Sequence, residues 1–333
     1  MRARRLDAGR GPARLGWIEA NHGLMGTGPP ALPATRDTAR RVSPPNAFAG
    51  RVAVALLAVA LAASLLAVAR AGATGASGTG ATAACVRDSR CHRLFVVAHR
   101  AKGFEAPENS REAVERAIQA GVPVLKIDVR ASKDGDLYLL HDGWLDRTTN
   151  LRGRIEGLTS AELSRARLAN GESLPRLHEI YAIARGRAVL TIGFKADAIF
   201  VEQVADWIAR QGSFDDVIFF VNTGEQMEAA ARAKQRHPRM LVMVRLLDTR
   251  VTVDSTRAVF GGRLPEIFHT ERVGAGMVAS LHALGVKVFM NVVQWEGYVQ
   301  PVKYLAIGWI LGTRLDFILT DEPVQMMRRA AGS

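Results

Sequence analysis

The 333-residue sequence predicts an α/β fold, a (β/α)8 TIM barrel preceded by one N-terminal transmembrane or signal-anchor helix. Three observations carry this expectation. From residue 93 onward, short apolar runs of strand type alternate with helical stretches about eight times. No Gly-x-Gly-x-x-Gly follows the first of these runs, which argues against a doubly wound sheet, the runner-up. Ahead of this region lies a single 18-residue uncharged run, Val52 to Ala69, between Arg51 and Arg70.

Composition sets the outer limits. With 48% hydrophobic and 23% charged residues, the chain is neither wholly disordered nor, given one long apolar run, a polytopic membrane protein. Two cysteines exclude a disulfide-dense scaffold and a four-thiolate zinc site. The net charge is +12, but nine arginines against three acids place +6 of it in residues 1–51. The rest is a mild excess, and with no aromatic-basic motif no nucleic-acid partner is expected.

In chain order, residues 1–51 are rich in Arg, Pro, Gly and Ala and read as a disordered basic segment, with Met25 a second possible start. Residues 52–69 make roughly 27 Å of helix, close to a bilayer's hydrocarbon thickness. Positive charge before the run predicts that residues 1–51 are cytoplasmic and that the domain beyond is exported. The expected placement is a bacterial inner membrane with the domain on the periplasmic side. Ala81-Thr82-Ala83 resembles a cleavage site, so cleavage and secretion is the alternative. Residues 70–92 are a linker with a Cys pair, and Gly72–Ala84 is small and flexible in composition. In an oxidising compartment, Cys85 and Cys91 are expected to form a disulfide; a metal pair and a lipid-modified Cys85 are the alternatives.

The barrel occupies residues 93–333. Strands are expected over 94–98, 123–129, 138–140, 188–192, 217–221, 241–244, 266–269, 287–291 and 316–319. Asn109-Ser-Arg-Glu112 has capping-box spacing before the first helix. Further helices are expected over 177–184, 199–210, 224–236, 274–284 and 323–329, and no internal repeat is evident. Barrels gather their chemistry where strands end. Those ends read His99-Arg100, Lys126-Ile-Asp128 and His141-Asp142. Two histidines from separate strand ends suit phosphodiester cleavage, one taking a proton from the nucleophile and one giving a proton to the leaving oxygen. Arg100 can bind the phosphate and offset its developing charge.

The ordered blocks His99-Arg100, Pro107-Glu-Asn-Ser110, Lys126-Ile-Asp128, Lys133-Asp-Gly135, His141-Asp142, Leu145-Asp-Arg-Thr-Thr149 and Leu319-Thr-Asp-Glu-Pro323 resemble the glycerophosphodiester phosphodiesterase family, within the phosphatidylinositol-phospholipase C-like superfamily. The resemblance covers about residues 94 to 326. It implies a TIM barrel that hydrolyses phosphodiesters, commonly glycerophosphodiesters, to an alcohol and sn-glycerol 3-phosphate. It implies His99 and His141 as acid and base, Arg100 on the phosphate, and Ca²⁺ or Mg²⁺ as the family's cofactor.

Two departures bear on that cofactor. Where the family has Glu-x-Asp, this chain has Lys126-Ile-Asp128; where it has Glu-x-Lys, this chain has Gly193-Phe-Lys195. Glu108 and Asp128 are the carboxylates left if a metal binds, and an ammonium at the centre repels one. No cofactor is therefore expected. Lys126 takes the metal's electrostatic role, as an Arg does in the similar metal-free bacterial phospholipases C. Catalysis falls to His99, His141, Arg100 and Lys126, and substrate binding to Arg100, Glu108, Asp128 and Lys195. The alternatives are a catalytically inactive membrane-anchored barrel that binds phosphodiester or lipid ligands, and a metal site rebuilt on Asp197 or Glu296. The expected substrates are small-molecule or lipid phosphodiesters. The family's Trp before its Thr-Val-Asn is missing near Val288–Asn291. Asp146-Arg147-Thr-Thr149 reads as a loop brace, and His178, His237 and His282 as surface or packing residues. Trp295, Tyr298 and His269 are left open between packing and substrate contact.

Overall fold

A computed structural model describes residues 78–246, 252–271, 274–293 and 300–332. The segments 1–51 and 52–69, with Trp295, Glu296 and Tyr298, lie outside the described residues. Among the described residues no helix is long and apolar enough to cross a membrane.

The strands are β1 (Phe95–His99), β2 (Val124–Ala131), β3 (Leu137–Leu139), β4 (Val189–Phe194), β5 (Val217–Val221), β6 (Leu241–Arg245), β7 (Ile267–Thr270), β8 (Lys287–Asn291) and β9 (Phe317–Thr320). The α-helices are α1 (Thr79–Arg87), α2 (Arg111–Gln119), α3 (Ser160–Leu163), α4 (Leu177–Ala184), α5 (Ile199–Gln211), α6 (Gly224–Arg236), α7 (Val253–Val259), α8 (Ala275–Ala283), α9 (Gln300–Leu311) and α10 (Pro323–Ala331). Parallel pairing runs β1-β9-β8-β7-β6-β5-β4-β2, and a β1–β2 pairing closes the ring into an eight-stranded barrel. The expected strand at 138–140 is not a stave. Ser132 to Gly135 make a tight turn, with Gly135 at φ +90°, so β3 folds back antiparallel on the end of β2. A parallel neighbour would need a long crossover.

Alternation sorts each strand into two faces. Phe95, Val97, Val124, Val189, Ile218, Phe220, Leu241, Met243, Ile267, Phe289, Phe317 and Leu319 fill the barrel, whereas Val96, Ala98, Leu125, Ile127, Leu190 and Ile192 pack under the helices. The N-terminal end of the barrel is plugged. Ala83, Cys85 and Val86 of α1 join the interior cluster, and Thr79 Oγ1 donates to Asp216 Oδ1 at 2.7 Å. The flexible linker expected over 72–84 is therefore helical from Thr79. Docking on the barrel and a Cys85–Cys91 disulfide hold a stretch whose Gly-Ala-Thr composition reads as linker. The α2 cap also differs by one residue. Ser110 Oγ accepts from Ala113 N at 2.9 Å, while Asn109 adopts φ +58° and turns its side chain toward Asp128 N. Helices α3, α7 and α9 were not expected from the sequence.

Candidate active site

The inward alternation of Phe95 and Val97 continues to His99, and that of Val124 continues to Lys126 and Asp128. All three thus lie in the interior at its C-terminal end. His99 is the register partner of Lys126, and Asp128 that of Gly193.

His99 Nδ1 lies 2.7 Å from Asp321 Oδ1, and its Nε2 accepts from Arg100 Nε at 3.2 Å. An accepting Nε2 places the ring hydrogen on Nδ1, toward Asp321, so this imidazole is neutral and presents a lone pair. Burial is the largest influence on its pKa and lowers it; Lys126 and Arg100 add to this, and Asp321 opposes them. His141, after β3, is held the same way, with Nδ1 2.7 Å from Asp142 Oδ1. Burial lowers its pKa as well, against the pull of Asp142 and Asp128. Burial works to raise Asp142, but His141 and Arg147 outweigh it and hold the carboxyl down to about 2. Each histidine therefore has one nitrogen fixed by a carboxylate, the arrangement that sets tautomer and ring orientation.

Lys126 is 5% exposed, and its Nζ donates to Asp128 Oδ1 at 2.5 Å. Lys195 Nζ is 4.0 Å from the same oxygen, and Arg100 Nε is 3.8 Å from Asp128 Oδ2. Burial alone would raise the Asp128 carboxyl; Lys126 and Lys195 outweigh it and hold it below its ordinary value. Burial depresses the Lys126 ammonium while Asp128 opposes that shift. Glu108 does not share the Lys126 charge. Its oxygens accept from Arg100 Nη1 at 3.0 and 3.2 Å and from Arg147 Nη2 at 2.6 Å, so it aims the two guanidiniums.

These residues do not fit a divalent ion at the position the resemblance implies. A hard cation needs several free oxygens. The Oδ1 of Asp128 is taken by Lys126, Glu108 is taken by two arginines, and Gly193 offers none. A Cβ at Gly193 would stand 3.1 Å from Asp128 Oδ1 and 3.3 Å from Lys126 Cε, tight before any carboxylate is added. Asp197 lies beside a cavity of about 350 Å³ whose rim includes Lys195, Asn222, Gln226 and Arg245. It joins no metal-holding cluster among the described residues.

The loop from β1 to α2 carries backbone strain. Arg100, Ala101, Glu105 and Asn109 have φ between +52° and +58°, four of the five non-glycine residues with positive φ among the described residues. Such strain collects where geometry is over-determined by its surroundings. At Gly103, φ +98°, a Cβ would lie 2.8 Å from the Asp321 carbonyl oxygen and 2.7 Å from Pro323 Cδ, so only glycine passes there. Asp321 and Lys102 join the site without an expected role, and Lys102 Nζ donates to Asp321 Oδ2 at 3.0 Å. Asp321 follows the end of β9, so the strand-end rule that found His99 could have found it. Arg147 is a brace as expected, but it braces the site: it also donates to Asp142 Oδ2 at 2.5 Å. His269 lies in the interior between Phe220 and Phe289, with its pKa lowered to about 3 by burial, then by Arg245 and Lys126.

Residues 99–325 match the glycerophosphoryl diester phosphodiesterase family. The chain belongs to that family. A glycerophosphodiester phosphodiesterase from Caldanaerobacter subterraneus subsp. tengcongensis is 33% identical over 98 residues, 27% of this chain and 40% of that protein. The aligned stretch is thus less than half of that relative's length. A crystal structure of a glycerophosphoryl diester phosphodiesterase from Parabacteroides distasonis superposes with a TM-score of 0.61 at 22% identity, covering 72% of this chain and 87% of that one. An Oleispira antarctica phosphodiesterase, solved with the product sn-glycerol-3-phosphate, superposes at 0.57 with 20% identity over 74% of this chain and 99% of its own. These two structures share the barrel fold with the family member described here.

Proposed function

We propose that the barrel hydrolyses glycerophosphodiesters or lipid-derived phosphodiesters by two-histidine acid–base catalysis, with the Lys126 ammonium in place of a metal ion. The observation that carries this reading is the pair of imidazoles, each fixed at Nδ1 by a carboxylate, flanking the buried Lys126–Asp128 pair. As Arg100 turns onto the phosphate it frees His99 Nε2, which takes a proton from water as the water oxygen bonds to phosphorus. The bond from phosphorus to the leaving oxygen breaks, and His141 gives that oxygen its proton. Arg100 and Lys126 stabilise the charge gathering on the phosphoryl oxygens from fixed positions, and such preorganisation is usually the largest catalytic contribution. Lys195, at the cavity rim, is placed to receive the remainder of the substrate.

The product held by the Oleispira antarctica enzyme supports sn-glycerol 3-phosphate as a product here. The Arg-rich segment, the apolar run 52–69 and the disulfide together support an exported, membrane-anchored enzyme. The test is turnover by the purified full chain on a panel of glycerophosphodiesters and lysophospholipids, with chelator and with added Ca²⁺ or Mg²⁺. Turnover indifferent to both is expected. Activity lost to chelator and restored by a divalent ion overturns the Lys126 role, and a folded chain with no turnover on any diester points to a binding barrel.

A further inference from the structure

At the end of the barrel opposite the histidine pair, a second cluster of ligand-type side chains has no part in the chemistry above. We infer that His92, His282 and Asp316 form a transition-metal site that takes a borderline ion such as Zn²⁺, Ni²⁺ or Cu²⁺. Among the described residues this is the only group of three or more His, Cys, Asp or Glu whose candidate ligand atoms converge, all lying within 4.8 Å of one another. The two imidazoles have ring centroids 4.6 Å apart, and His282 Nε2 is 2.7 Å from Asp316 Oδ2. Ligands around a tetrahedral ion stand about 3–3.5 Å apart, given bonds of roughly 2.0–2.2 Å. The His282–Asp316 edge is therefore nearly at coordinating separation, and only His92 must swing inward by about 1–1.5 Å. His92 is exposed and free to do so.

A second observation concerns the carboxylate. Asp316 is 1% exposed, and its Oδ1 has no hydrogen-bond partner. Its Oδ2 accepts from Val288 N at 2.8 Å, which fixes the plane of the group. A buried oxygen left without a hydrogen bond costs free energy unless something else satisfies it. Lys287 Nζ is 3.6 Å away, too far for a hydrogen bond, and instead donates to the Cys91 carbonyl oxygen. The ammonium weakens the site for any cation held by charge alone. Two imidazoles and one carboxylate give too few oxygens for Ca²⁺ or Mg²⁺ and suit nitrogen-preferring ions.

The three ligands come from the approaches to the neighbouring staves β1, β8 and β9. His92 follows the disulfide at Cys91, His282 is in the last turn of α8, and Asp316 immediately precedes β9. A bound ion would add one more tie between the disulfide loop, which leads back to α1, the barrel's plug, and the adjoining β8–β9 wall that it already meets through Lys287 and the Cys91 carbonyl. Asp321 lies at the other end of β9, roughly 16 Å along the strand, so the site is separate from the catalytic one.

The experiment uses the full chain without a polyhistidine tag, metal-stripped and with its disulfide intact. Calorimetric titration with Zn²⁺ is expected to show one equivalent bound, and Cu²⁺ to give an electron paramagnetic spectrum with hyperfine structure from two nitrogens. His92→Ala, an exposed change that leaves the fold alone, should weaken binding at least tenfold while diester turnover stays at the wild-type value. His282→Gln should do the same. No saturable binding, or binding unchanged by His92→Ala, overturns the site. Binding abolished by His99→Ala but not by His92→Ala assigns the ion to the catalytic histidines and overturns it equally.

Discussion

Replacing Lys126 with Met removes a cation that lies 2.5 Å from Asp128 and keeps most of the buried stem. Two separate losses follow. A preorganised charge in a water-poor site is typically worth about 10²–10³ in kcat, about 2.7–4 kcal/mol of barrier. Stability falls as well, because Asp128 remains buried without its nearest partner, and breaking a buried pair from one side costs about 3–5 kcal/mol. Arg100 at 3.8 Å and Lys195 at 4.0 Å still face that carboxylate, which places the loss near the low end, about 3 kcal/mol. Adding Asp128→Asn removes the stranded charge, so the double variant should regain most of the stability and none of the rate. The assay is kcat on the best diester of the panel, with urea midpoints, for wild type, both singles and the double. Wild-type kcat in Lys126→Met, or turnover recovered in the double variant, refutes the proposed role.

The pH profile of kcat/KM should peak on the acid side of 6.5, since burial lowers both histidines below that value: the base needs its neutral form above its own pKa, and the acid needs its charged form below its own. A plateau extending to pH 8 would exclude His141 as the acid. Gly103→Ala should lower kcat by tenfold or more with KM little changed, because the added Cβ must push the Asp321 backbone, and with it the His99 ring, out of place; unchanged kinetics would show that the loop yields freely. Cys85→Ser with Cys91→Ser should cost about 2 kcal/mol in urea unfolding, the loop-entropy value for so short a ring. A loss above about 4 kcal/mol would mean that α1 undocks as well.

Much of the barrel could be read before folding because its staves are short apolar runs bounded by turn chemistry. The site could be read in part because His99 ends β1, while Lys126 and Asp128, two residues apart, share the inward face of β2. The unread parts depend on distance across the chain. Asp321 is 222 residues from the histidine it orients, and no local pattern announces that contact. Arg147 looks like loop chemistry until the fold places Glu108 and Asp142 on either side of it. Helix α1 is built from residues that suit a linker and is held by the barrel end on which it docks, so propensity points the wrong way. Glu108 and Asp128 read alike in the sequence, as carboxylates left for a metal; only the geometry gives one to Lys126 and the other to two arginines.

The closing of the barrel by β1 and β9 also has a meaning in time. Val97 pairs with Leu319, and His99 with Asp321, so the first stave waits for the last. At a synthesis rate of roughly 5–20 residues per second, His99 precedes its carboxylate by about 11–44 s. Until then β1 has an open edge, and the long-range pairing that covers it is of the slow-forming kind. Turnover is therefore a property of the finished chain alone. A fragment ending before β9 would contain His99, Arg100, Lys126, Asp128 and His141 yet hold its base in no defined tautomer.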